Sequence, residues 1–136
     1  MEARVSDRKQ SPIFVKTHDL LLWLLPQTAK FPREQRFALT QAVQQSAMRL
    51  QERLIEVGMN KGSERVRLLR QADIELVKLK AHLRLCQDMQ LVTVRQYEHV
   101  SGLTLEVGKL LGAWMAQESK AVKAAPAGDR LTVGVD

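Results

Sequence analysis

The sequence predicts an all-α, up-down-up-down four-helix bundle. Three observations predict it. Hydrophobic residues make up 45% of the 136 residues and aromatics only 4%, a Leu/Ala/Val composition that fills helix stripes better than a sandwich of sheets. Apolar residues recur at alternating steps of three and four through several long stretches. Short breaks separate those stretches: the Pro-containing link at Phe31–Glu34, the Gly-bounded loop Gly58–Gly62 and the short link Leu91-Val92. A chain of this length supports one domain with a real core.

The first helix is predicted over Ile13 to Lys30, with Phe14, Leu20, Leu21, Leu24 and Leu25 as its core residues and Trp23 at one edge. Pro26 lies inside this pattern and should kink or end the helix, because it removes one backbone bond. Residues 1–12 are polar and mixed in charge, and read as a flexible N-terminal arm. Phe31-Pro32-Arg33-Glu34 forms a tight link, with Pro32 near the first position of the next helix.

The second helix should run from Arg33 to Val57. Val43, Ala47, Leu50, Leu54 and Val57 form a bundle seam. Gln41, Gln44, Gln45, Arg49, Gln51, Glu52 and Arg53 lie on its outer, solvated side. Gly58-Met59-Asn60-Lys61-Gly62 is the clearest loop, and Gly58 fits a left-handed C-cap.

The chain is organised around the third helix, Ser63 to Gln90, which has no Gly or Pro after its first residue. It would be about 40 Å long. Ser63 is the expected N-cap, with Glu64 adding favourable charge in the first turn. Leu69, Ala72, Leu76, Leu79, Leu83 and Cys86 form the core stripe. The opposite face interleaves Arg67, Arg70, Lys78 and Arg84 with a second apolar row, Ile74, Val77, Ala81 and Leu85. A helix that only covered its own core would not need that second row, so the face is expected to be a contact surface. The bland alternative is a buried helix whose basic side chains snorkel into water.

Thr93 and Gln96 form a capping-box pattern that opens the fourth helix, expected to run to Glu118. Tyr97, Val100, Thr104, Val107, Leu111 and Trp114 are its stripe, widened by Leu103 and Leu110. Gly102, Gly108 and Gly112 each weaken a helix interior by up to about 1 kcal/mol. Gly108 and Gly112 are one turn apart and expose backbone on one side, which points to close approach of another helix or subunit. Together with the spare apolar row, they are the expected oligomer interface. The bundle is assigned to residues 13–120. The segment 121–136, with AAPAGDR followed by LTVGV, reads as a disordered tail.

Lys and Arg number 21 against 15 acids, a net charge of +6, which favours anionic partners. In the third helix Arg65, Arg67, Arg70, Lys78, Lys80 and Arg84 outnumber Glu64, Asp73, Glu75 and Asp88, a balance of +2. No recognition-helix or aromatic RNA-binding signature accompanies this charge, so nucleic-acid binding should be backbone-directed and salt-sensitive. The basic candidates for partner contact are Arg33, Arg36, Arg67, Arg70, Lys78 and Arg84.

An enzyme reading finds little support. His18, His82 and His99 fall on three helices, and no Cys/His pair has metal-ligand spacing, so no metal or other cofactor is expected. No Gly-rich phosphate loop follows a strand. Asp73 and Glu75 point in different directions and make no paired-carboxylate site. The single Cys86 lies on the core stripe and reads as an inert thiol in a reducing, cytoplasmic compartment. The longest apolar run, Leu20 to Leu25, is far too short to span a membrane, and the charged N-terminus shows no signal peptide.

Three segments carry a resemblance. LLLWLLPQTAKFPREQRF, ERVRLLRQADIELVKLKAHLRL and especially EVGKLLGAWM resemble the accessory variability determinant (Avd) family of diversity-generating retroelements, cassettes that rewrite a target gene through error-prone reverse transcription. The resemblance covers roughly Val15 to Gln117. It implies a four-helix bundle assembled as a homopentameric barrel with a basic surface. It further implies a non-catalytic partner of the element's reverse transcriptase and template RNA. That family is similar in turn to the four-helix proteins encoded in ribosomal-RNA intervening sequences. The alternative function is therefore binding of structured RNA or a protein without a retroelement role.

Overall fold

The computed structural model describes residues 5–125, with side chains from Pro12 onward. Four helices make up the bundle: α1 (Val5–Ala29), α2 (Gln41–Gly58), α3 (Gly62–Asp88) and α4 (Val94–Ala124). There is no strand among the described residues. The helices form a ring in which α1 packs on α2 and α4, and α3 packs on α2 and α4. Contacts between α1 and α4 run in opposite chain directions, from Gln27–Gln96 through Trp23–His99 and Lys16–Glu106 to Phe14–Trp114. The two helices are therefore antiparallel, and the short connections impose the same arrangement on the other neighbours.

The expected stripes face inward. Val43, Ala47, Leu50, Leu54 and Val57 are fully buried, as are Leu69, Ala72, Leu79 and Cys86 of α3 and Val100, Val107 and Leu111 of α4. Ile13, Leu20, Leu21 and Leu24 carry α1 into the same core, and Phe14 and Leu25 pack on its margin. Burial pushes the Cys86 thiol up to about 11, which suits a core residue rather than a reactive one.

Several boundaries differ from the sequence reading. The first helix begins at Val5 rather than Ile13. Pro26 does not end it. The helix continues to Ala29 with Leu24 and Thr28 both buried, and Thr28 Oγ1 donates to the carbonyls of Leu24 and Leu25 at 3.0 and 3.2 Å. The carbonyl that Pro26 leaves without a donor belongs to Leu22, an exposed residue, where water can serve it.

The second helix does not start regularly at Arg33. A 3-10 turn (Arg33–Gln35) and a π turn (Arg36–Thr40) precede α2. The wider turn places Leu39 and Thr40 in the core and leaves Phe37 outside.

The α2–α3 loop uses its second glycine, not its first. Gly58 is the last residue of α2, followed by Met59 at φ −94°, whereas Gly62 takes φ +63°. The N-cap of α3 is accordingly Lys61, without a side-chain cap bond, and Ser63 lies inside the helix. At its other end α3 stops at Asp88 through a Schellman motif. Leu91 N–H donates to Cys86 O at 2.9 Å and Gln90 N–H to Gln87 O at 3.0 Å, with Gln90 at φ 61°. A residue other than Gly or Asn in this position escapes sequence rules for helix ends.

The Thr93–Gln96 capping box is present in full. Beyond Glu118, α4 extends to Ala124, because Lys120, Ala121, Lys123 and Ala124 are good helix formers that need no buried face. The LTVGV segment lies outside the described residues.

Candidate interaction surface

The outward face of α3 is apolar and basic at once. Ile74, Val77 and Leu85 are 52%, 59% and 47% exposed, and Ala81 is exposed between them. A helix within a bundle buries one stripe only, and the second apolar row on its far side has no partner among the described residues.

The basic side chains on this face are mostly tied to their own helix. Arg67 makes a two-pronged contact with Glu64, with its Nε 2.9 Å from Oε1, and this hydrogen bond holds the Glu64 carboxyl below the usual carboxylate range. Lys78 Nζ lies 3.9 Å from Glu75, and Arg84 Nε lies 3.6 Å from Asp88. Arg70 is exposed and forms no ion pair among the described residues. Glu75 is itself buried, at 7% exposure, with one carboxylate oxygen, Oε1, lacking a partner. Lys78 thus partly neutralises a carboxylate taken out of water.

Arg33 and Arg36 do not join Arg67 and Arg70. Both are exposed, but they precede α2, whose beginning lies beside the end of α3. Arg67 and Arg70 belong to the first turns of α3. The two basic clusters therefore sit roughly 30 Å apart along the bundle.

The glycines of α4 also separate. A Cβ on Gly108 would lie 3.5 Å from Leu76 Cδ2 and 3.7 Å from Lys80 Nζ, so Gly108 faces α3 of its own chain. Gly102 and Gly112 have nothing within 4 Å on that side and point to open space. Between α3 and α4 a shallow groove of about 330 Å³ is lined by Lys80, Leu83, Tyr97, Ser101, Thr104 and Leu105.

Two residues that the sequence reading passed over carry weight. Arg65 turns inward. Its Nε donates to Val57 O and Asn60 O at 3.0 and 2.7 Å, and its NH1 lies 3.2 Å from Glu118 Oε2. Phe37 is 82% exposed. The signal for Phe37 was its place outside the apolar steps that begin at Val43. Arg65 had no such signal, because its partners are distant in sequence.

Among the described residues no group of three or more His, Cys, Asp or Glu side chains could hold a metal ion. No described helix is long and apolar enough to cross a membrane. The outer faces carry apolar rows, cations and an exposed aromatic ring.

The described residues thus form a four-helix bundle with apolar and basic rows on its outer faces. The chain belongs to the bAvd-like family, which it matches over residues 13–118. Its fold is shared with the crystal structure of a protein of unknown function from the S23 ribosomal protein family of Bacteroides thetaiotaomicron. The TM-score is 0.73 at 18% identity, covering 79% of this chain and 98% of that one. No curated protein matches the sequence.

Proposed function

We propose that this chain is a non-catalytic accessory protein of a diversity-generating retroelement, acting in the cytoplasm to dock the element's reverse transcriptase and template RNA during mutagenic cDNA synthesis. The observation that carries this reading is the outward α3 face, an exposed apolar row set among arginines, in a chain of the bAvd-like family. The apolar row Ile74, Val77, Ala81 and Leu85, with Gly112 of α4, packs copies together as a closed ring, a pentamer. Arg67, Arg70, Lys78 and Arg84, with Arg33 and Arg36, supply the docking charge. A ring repeats each weak cluster and raises its effective strength.

Native mass spectrometry and co-purification with the reverse transcriptase encoded by the same element test the proposal. The expected result is a closed ring that retains the enzyme, and RNA affinity that falls steeply with salt. Changing Arg67 and Arg70 to Ala should flatten the salt slope by about 0.7 for each single-strand phosphate no longer neutralised, or 0.9 for duplex. Most of the change should come from Arg70, since Arg67 is engaged with Glu64. A monomer at micromolar concentration that ignores the enzyme would overturn the proposal. RNA binding without any affinity for the enzyme would favour the intervening-sequence type of function.

A further inference from the structure

The start of α2 brings four features together. Phe37 is 82% exposed, more than any other large apolar side chain among the described residues. It stands on a π turn, a conformation found in well under about 1% of residues and recurrent at functional positions. Lys30, Arg33 and Arg36 around it are exposed, and none forms an ion pair among the described residues, whereas Arg67, Lys78 and Arg84 on α3 each hold an acid of their own helix. Gln41 and Gln45 continue outward along the next turns of α2, beside a shallow depression of about 270 Å³ that they line with Gln44, Met48, Arg49 and Glu52.

We propose that this segment is a platform for a single-stranded stretch of RNA: Phe37 stacks on an unpaired base, Arg33 and Arg36 take the flanking phosphates, and Gln41 and Gln45 reach base edges. Charge complementarity selects the occupant. An apolar anchor for a protein partner sits at the centre of an apolar patch ringed by polar residues. The sequence around Phe37 is the reverse, with Lys30, Arg33, Arg36, Gln41 and Gln45 against Glu34, and with Glu52 the one acid lining the neighbouring depression. Free cations have phosphate as their natural complement, and an aromatic ring among them has the face of a base. A duplex cannot use the ring, because its bases are already stacked on one another. An unpaired base has a free face, and the amides of Gln41 and Gln45 can both donate and accept at its edges.

This inference rests on the RNA-binding part of the proposed function and names the form of RNA. Its test uses the full chain with two probes, a short fluorescein-labelled uridine oligomer and an RNA duplex of equal length. Phe37→Ala should weaken binding of the oligomer about fivefold or more, the lower end of what losing one base–aromatic stack costs. Duplex affinity and the salt slope should stay unchanged, since no charge is removed. Arg33→Ala with Arg36→Ala should flatten the slope for the oligomer by about 1.4, or 0.7 for each phosphate contact. Phe37→Trp should keep the affinity and show quenching of the added indole on binding.

Unchanged oligomer affinity in Phe37→Ala would overturn the platform while leaving RNA binding by the rest of the surface intact. So would an altered subunit number by native mass spectrometry, which would assign the ring to a protein contact. A wild-type chain that binds neither probe would instead remove the RNA-binding reading on which the platform depends.

Discussion

The guanidinium of Arg65 lies 5.6 Å from the centroid of the Trp114 ring. One side chain thereby joins three segments. It bonds two carbonyls at the end of α2, pairs with Glu118 of α4 and covers the ring of Trp114. Phe14 of α1 meets the same ring edge-on, with centroids 6.2 Å apart, so all four helices converge at this end of the bundle.

Arg65→Ala should therefore destabilise the fold by about 2–4 kcal/mol, because it strips charged hydrogen bonds from partly buried carbonyls and leaves Glu118 without this partner. Arg65→Lys should recover only part of this, since an ammonium lacks the forked donors. Urea unfolding at one fixed protein concentration is the measurement, as an oligomer's midpoint depends on concentration. Equal midpoints for wild type and Arg65→Ala would show that the cluster contributes nothing.

Trp114 is 5% exposed, and its truncation to Ala should cost about 3–5 kcal/mol. Its Nε1 has no acceptor within the described structure. Trp114→Phe should thus cost markedly less than Trp114→Ala, because it keeps much of the ring and removes an unpaired buried donor. Thermal unfolding of the two variants side by side separates these effects, and identical losses would contradict the assignment.

The α4 glycines should respond in opposite ways to small and large substitutions. Gly108→Ala places its new methyl at ordinary contact distance from Leu76 and Lys80, and Gly112→Ala meets open space. Each should raise helix stability by up to about 1 kcal/mol. Gly112→Leu should leave the subunit folded but weaken assembly, which circular dichroism and native mass spectrometry read separately. An unchanged ring would place Gly112 outside the interface.

Cys86 should resist alkylation at pH 8 in the folded protein, since its thiol stays protonated until about pH 11. The linked effect on stability has a definite sign. An unfolded thiol ionises near 8.5, so between roughly pH 8.5 and 11 the unfolded chain loses a proton that the folded chain retains. This contribution to stability is whole below that window and declines as pH rises through it. Rapid modification of native protein at pH 8 would show that the thiol is accessible.

The local pattern of the chain was enough to place the helix stripes and the capping box. Val43 through Val57, and Leu69 through Cys86, lie in the core where their spacing put them, and Thr93 and Gln96 cap α4 as neighbours three residues apart can. The same wheel placed Ile74, Val77, Ala81 and Leu85 on the outside. These features depend on periods of one or two turns, which residue order alone specifies.

The tertiary structure decided the rest, because the deciding partner lay elsewhere in the chain. α1 passes through Pro26 because Leu24 and Thr28, two residues to either side of it, are buried. Gly62 rather than Gly58 takes the left-handed turn, Gly58 remaining helical with its α-carbon turned towards Phe14 of α1. Arg65 could not be told from the other α3 arginines until Val57, Asn60, Glu118 and Trp114 surrounded it. Phe37 stands outside because the π turn directs Leu39 and Thr40 inward. Periodicity says which side of a helix is apolar, whereas the choice among similar residues at an end, a turn or a charged row is made by packing against a distant segment.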